Sequence, residues 1–319
     1  AALAGTNICL RKIDAKKIFE LINKHKVSNL CGAPIILNIL INEGTKLNHK
    51  VELMTAAAPP PVSVLKKIQE QGFNVTHTYG LTEVYGPAVV CEWQKEWDNV
   101  KKDMIAELKS RQGVKCPGLN DLQVINKKTN KPVNKNGKEL GEVYMRGNTV
   151  MMGYYKDKKA TQNSFEKGWF HTGDIGHIDD DGFLFITDRK KNILVTSGGK
   201  NVAPAPIENA MVTSPFIEQS VVIGDNRNFI SALIVPAFEA VEKELSAQGV
   251  SVSGDDAIAN HPDTKALIQK ELDDIMEGFS NYERVKEFAV LPRIFTLENG
   301  ELTPTLKIIR KVVLNHFSD

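Results

Sequence analysis

Late in the chain one lysine, Lys307, stands in Glu301-Leu302-Thr303-Pro304-Thr305-Leu306-Lys307-Ile308-Ile309-Arg310, between a Thr-Pro-Thr turn and a β-branched run. Alone it reads as a solvated surface charge, the usual fate of lysine. Held rigidly, the same point charge can offset the repulsion between two approaching anions. Three segments precede it: Tyr79-Gly80-Leu81-Thr82-Glu83, His171-Thr172-Gly173-Asp174 and Asp188-Arg189-Lys190-Lys191-Asn192-Ile193. Tyr79 offers a ring on which a flat base can stack, Gly80 a close backbone turn, Thr82 a hydroxyl for phosphate, and Glu83 a hard oxygen ligand suited to Mg²⁺ bridging phosphates. Asp174 follows a tight turn, and a carboxylate accepts well from two ribose hydroxyls. Fifteen residues on, Arg189 can reach the same ribose or a phosphate with its fork of donors. Without Asp174 it would be a surface arginine closing a hairpin.

Weaker signals surround these. Thr55-Ala56-Ala57-Ala58-Pro59-Pro60 leaves backbone accessible to a flat ligand, although a plain small-residue turn fits equally. Val195-Thr196-Ser197-Gly198-Gly199-Lys200-Asn201-Val202 lacks the Gly-x-x-x-x-Gly-Lys-Ser/Thr spacing of a phosphate loop, so that reading is rejected. His171 has no Ser or Cys nucleophile pattern beside it and is given no chemical role.

The elements that must position these residues change character along the chain. Asp14 caps a helix to Val27 whose apolar face holds Ile18, Leu21 and Ile22. Strands at 28–34, 51–56 and 75–79, with a helix over 64–71, imply a mostly parallel sheet with ligands at the strand carboxyl ends, where 56–60 and 79–83 fall. Beyond about residue 110 the texture turns to short alternating strands such as 142–146 and 183–187, joined by the Asp180-Asp181-Gly182 turn, which favours a small antiparallel, β-barrel-like subdomain. The acidic run Asp179-Asp180-Asp181 reads as a solvated turn. After Arg189 come strands 220–223 and 230–235 and helices 238–247 and 263–277, with 248–260 as a loop. The division expected is 1–110 as part of a large α/β subdomain, 111–190 as the β-rich subdomain, and 191–319 as a mobile α+β domain carrying Lys307.

Composition limits the partners. Forty basic against thirty-nine acidic residues in 319 leave a net charge of +1, which argues against a nucleic-acid surface. Cys9, Cys31, Cys91 and Cys116 show no Cys-x-x-Cys pair, so buried, inert thiols in a reducing compartment are expected. No apolar run approaches the roughly eighteen residues of a membrane span. A cytoplasmic protein is expected, with peripheral membrane contact left open and oligomeric state unread.

In this order, the four motifs resemble the signature of the adenylate-forming, AMP-binding enzymes. The match of 301–310 and 188–208 is nearest to long-chain fatty acyl-CoA synthetases, and 77–148 is similar to acyl-activating enzymes of broader and shorter range. The resemblance implies ATP/AMP, Mg²⁺ and coenzyme A as ligands and a fatty acid as the other substrate. Nucleotide contacts are implied for Ala57, Ala58, Pro59, His77, Thr78, Tyr79, Gly80, Leu81, Thr82, Asp174 and Arg189, with Glu83 on the metal. Ala56 stands where the family commonly has Gly. Lys191 matches the family's hinge, Gly198, Gly199 and Lys200 its pantetheine contact, and Lys307 its catalytic lysine. The family also carries an upstream Ser/Thr/Gly-rich loop ending in Pro-Lys-Gly, which holds the β- and γ-phosphates. These residues contain none, so the resemblance implies a fragment that binds diphosphate poorly and is inactive alone. An acyl-AMP ligase serving a carrier protein, or a non-catalytic nucleotide-binding module, shares the remaining motifs.

Overall fold

The computed structural model describes residues 4–56, 60–303 and 308–317. The chain divides into two compact units, Ala1–Lys191 and Asn192–Asp319.

In the first unit, strands β1 (Asn29–Cys31), β2 (Val51–Ala56) and β3 (Phe73–Leu81) run parallel, and β4 (Gly86–Val90) and β5 (Val114–Lys115) extend the sheet antiparallel in the order β1-β2-β3-β4-β5. Strand β2 is buried at every second residue, Val51, Leu53 and Thr55, so one face meets the core. Helices α1 (Ala15–His25), α2 (Pro34–Glu43), α3 (Val62–Glu70) and α4 (Lys102–Ser110) cover it. The Asp14 carboxylate caps α1 by accepting the Lys17 N–H at 2.8 Å, as the sequence suggested. Ile18, Phe19 and Ile22 bury its face among Leu37, Leu40, Leu65, Ile68 and Phe73. Helices α2 and α4 were not foreseen. Pro34 reads as a turn residue, yet it sits at the first helical turn, where its missing N–H costs nothing.

The second sheet holds β6 (Asp121–Asn126), β7 (Lys131–Pro132), β8 (Gly141–Arg146), β9 (Phe165–Glu166), β10 (Trp169–Ile178) and β11 (Leu184–Arg189), in the order β11-β10-β8-β6-β7 with β9 on β10. All its pairings are antiparallel, and it stays open instead of closing into the barrel-like form expected. A short helix, α5 (Lys158–Ser164), precedes β9.

Residue 110 is no clean seam, because β5 belongs to the first sheet and Gly113 bridges to Leu184 of the second. The acidic turn is also more than solvated. Arg111, 4% exposed, bonds Asp179 at 3.0 Å and Asp181 at 2.9 Å, and its guanidinium lies 3.9 Å from the Phe183 ring centroid and 4.9 Å from that of Trp97. Of the cysteines, Cys91 is buried as expected, whereas Cys9 and Cys31 are exposed and all four thiols are free.

In the second unit, the hairpin β12 (Leu194–Val195) and β13 (Asn201–Val202) is followed by α6 (Pro204–Met211). Strands β14 (Ile217–Ile223), β15 (Ile230–Pro236) and β16 (Val285–Val290) form a sheet, with α7 (Phe238–Ala247), α8 (Asp255–Asn260), α9 (Pro262–Met276) and α10 (Arg310–His316) around it. Ile268, Leu272 and Met276 of α9 are buried against β14 and β15 residues, following the 3.6-residue period. The 248–260 segment contains α8 as well as loop. Glu301 is fully buried: Arg293 holds it bidentate at 2.7 and 2.8 Å, and His316 Nδ1 lies 2.9 Å away.

Candidate nucleotide site

The pairing of β10 with β11 sets Asp174 opposite Arg189, so their fifteen-residue separation becomes one cross-strand pair. Arg189 Nε lies 3.2 Å from Asp174 Oδ1. The Tyr79 phenol, arriving on β3 from the first sheet, donates to Oδ2 at 2.6 Å. Thr172 completes the support by accepting the Asp174 N–H at 3.1 Å and donating to the Val143 carbonyl at 2.8 Å. Asp174 is only 4% exposed, and burial raises its carboxyl pKa against the opposing pull of the phenol and the guanidinium. Burial and the neighbouring carboxylate push the Tyr79 phenol well above its usual range, so it stays a donor. An ionised carboxylate has about four acceptor positions. Two are used here, which leaves capacity for a diol.

Several of the residues expected to contact the nucleotide are packed into the sheet. Tyr79 is 5% exposed and packs with Val84, Val89, Val143 and Phe170, so its ring lies in the core instead of forming an open stacking wall. His77 is fully buried, with Nδ1 3.2 and 3.1 Å from the carbonyls of Ser110 and Arg111 at the end of α4. Thr78, 1% exposed, donates to the Thr55 carbonyl across β2 and β3. Gly80 is demanded by the sheet: a Cβ there would come 1.9 Å from the Gly86 carbonyl oxygen. Leu81 packs partly into the same core cluster. These residues build the wall behind the site.

At the carboxyl end of β3 the chain enters a 3₁₀ turn over Thr82–Val84, where Thr82 is exposed and Glu83 half-buried. Tyr85 closes the turn with φ 65°. Glu83 Oε1 accepts the Tyr154 phenol at 3.0 Å, and Oε2 takes no partner among the described residues. No group of three or more potential metal ligands occurs among those residues. One hard carboxylate suits Mg²⁺, which prefers one or two carboxylates plus substrate phosphates and water to a protein cage. Glu83 would hold such an ion.

Gly198, Gly199 and Lys200 form the β12–β13 turn in the second unit. Gly199 takes φ 73°, the Thr196 N–H donates to the Lys200 carbonyl, and Lys200 Nζ stands 5.7 Å from the Tyr282 ring centroid. From its place after Pro204 and Pro206, Glu208 reads as a residue of a helix's first turn. It lies instead in the middle of α6, accepting the Val222 N–H at 2.7 Å and the Arg310 guanidinium at 2.6 Å. Lys191 is exposed and is the last residue of the first unit. Ala57, Ala58, Pro59 and Lys307 lie outside the described residues. Sequence reasoning missed Thr172 and Tyr154. Thr172 was visible as the hydroxyl two residues before Asp174, whereas nothing local ties Tyr154 to a glutamate 71 positions away.

Comparison with known proteins bears on the family and the fold of the chain. Residues 1–155 match the family model for AMP-binding enzyme, and residues 191–319 that for the AMP-binding enzyme C-terminal domain. Probable acyl-activating enzyme 10 of Arabidopsis thaliana is 45% identical over 226 residues, 70% of this chain and 41% of that protein. An acetate–CoA ligase of Humulus lupulus is 46% identical over 228 residues, 70% of this chain and 40% of its own length. The chain thus spans about two fifths of these relatives. Among solved structures, the O-succinylbenzoate coenzyme A synthetase of Bacillus subtilis with ATP and magnesium ion superposes with TM-score 0.68 at 23% identity, covering 97% of this chain and 55% of that one. The A domain of the carboxylic acid reductase of Segniliparus rugosus, with AMP and a carboxylic acid, gives 0.73 at 22%, covering 97% and 48%. At these identities the structures speak for the fold, while the two family models, matched in order along the chain, identify the protein as a member of the AMP-binding enzyme family.

Proposed function

We propose that this chain belongs to an ATP-dependent acyl-CoA synthetase. A carboxylic acid attacks the α-phosphate of MgATP to give acyl-adenylate and diphosphate. The coenzyme A thiol then attacks the acyl carbon, and AMP leaves. The observation that carries this reading is Asp174, a buried carboxylate oriented by Tyr79 and Arg189 and retaining acceptor capacity for a ribose diol. Glu83 takes the metal, and Lys307 bridges carboxylate and α-phosphate oxygens, a contribution of roughly 3–4 kcal/mol to the transition state. Lys191 serves as the hinge between half-reactions, and Gly198, Gly199 and Lys200 line the pantetheine arm.

The acid we propose is a long-chain fatty acid, on the likeness of 188–208 and 301–310 to that subgroup. Relatives bear names for small acids, among them an acetate/butyrate–CoA ligase of Arabidopsis thaliana and a trans-cinnamate:CoA ligase of Petunia hybrida. Thioester formation from acetyl-, butyryl- and palmitoyl-adenylate decides between them.

Calorimetry with AMP tests the core of the reading. Binding is expected in the parent chain and loss of about tenfold or more in Asp174→Ala, which removes a charge-assisted acceptor. Equal binding in both would overturn it. In the whole enzyme, Lys307→Ala is expected to lose acid-dependent diphosphate exchange while keeping thioester formation from supplied acyl-adenylate.

A further inference from the structure

Glu83 is held from two directions by one segment. Its backbone carbonyl accepts the Met151 N–H at 2.7 Å, and its carboxylate Oε1 accepts the Tyr154 phenol at 3.0 Å. Only Met152 and Gly153 lie between these contacts, so the stretch between β8 and α5 acts as a strap across the turn that follows β3.

The strap is built to fix the phenol. Gly153 has φ 155°, and a Cβ there would meet Thr161 Cγ2 at 2.6 Å. The Tyr154 N–H donates to Thr161 Oγ1 at 2.9 Å, and that hydroxyl donates to the Asp157 carbonyl at 2.8 Å. The Asp157 carboxylate caps α5 through the Ala160 N–H at 2.8 Å. Tyr154 is therefore anchored through its main chain to the first turn of a helix.

We propose that Tyr154 is a positioning residue for Glu83, fixing the carboxylate through Oε1 so that Oε2 is presented to the divalent ion of a bound metal–nucleotide. The proposal rests on the nucleotide-activating role assigned above. The donor type matters. A lysine in this place would neutralise the carboxylate and compete with the metal, whereas a phenol orients it and leaves its full charge.

Tyr154→Phe deletes only the hydroxyl. The test compares ATP binding by calorimetry with and without Mn²⁺, and AMP binding without metal, in the parent chain, Tyr154→Phe, Glu83→Gln and the double variant. Tyr154→Phe is expected to reduce the metal-dependent gain in ATP affinity roughly threefold to tenfold, the range of one hydrogen bond, with metal-free AMP binding unchanged. In the Glu83→Gln background the same change should do nothing further. An unaltered metal dependence in Tyr154→Phe, an equal loss in the Glu83→Gln background, or no metal dependence in the parent chain overturns the proposal. Loss of AMP binding together with metal dependence in Tyr154→Phe would show a general structural role and also overturn it. Failure of the parent chain to bind AMP at all overturns the nucleotide reading itself, which separates the two.

Discussion

Asp174 places a charge where little water reaches it, and the consequences for folding and binding have opposite signs. Its carboxyl pKa is raised in the folded chain by burial, so the ionised form is destabilising relative to the unfolded state. That penalty is absent below the unfolded value and grows as pH rises through the folded one. Asp174→Asn is accordingly expected to keep or raise the melting temperature at neutral pH while weakening AMP binding, and a parallel loss of both would contradict this account. Glu301 behaves in the reverse sense. Arg293 first, then His316 and the Thr296 N–H, lower its carboxyl pKa from 4.5 to about 2, against the effect of its own burial. Its stabilisation is present above about pH 4.5 and is lost as pH falls towards 2. Up to about 3 kcal/mol is at stake. Denaturant melts of Glu301→Gln and the parent chain should differ at neutral pH and converge near pH 2.

At the scale of elements, the join of β3 to β4 is the most constrained feature near the site. Gly80 to Ala would drive a Cβ into the Gly86 carbonyl at 1.9 Å, so the pairing must part or shift. A loss of about 3 kcal/mol or more is expected, together with AMP affinity, because Tyr79 reaches Asp174 from the same strand. A variant as stable as the parent would show that the strands give way more easily than this contact implies. The sequence made Gly80 conspicuous for a different reason, as room for a ligand. Spacing and residue type brought out Asp174, Arg189 and Glu83, whose chemistry is carried by the side chain itself. It did not reveal the burial of His77, Thr78 and the Tyr79 ring, since a residue's type does not say which face of a parallel strand turns inward. The hairpin announced by local turn chemistry at 180–182 was legible, as were the strands near 220–223 and 230–235, while α2 and α4 depended on packing against distant strands.

For the whole molecule, the division after Lys191 means that two units can respond to conditions separately. Calorimetric unfolding is expected to place the acid sensitivity from Glu301 in the transition of the second unit, and stabilisation by AMP in that of the first. A single transition carrying both would contradict that partition. Within the first unit the reverse holds, and the reason is Arg111. Its guanidinium, enclosed by the Trp97 and Phe183 rings and bonded to the β10–β11 turn, starts from the end of a helix that covers the first sheet. Neither sheet can open at that corner without stripping a buried cation of its partners, which costs about 3–5 kcal/mol. Amide protons of β3 and β11 should therefore exchange with one shared opening free energy, and Arg111→Ala should split them into two rates.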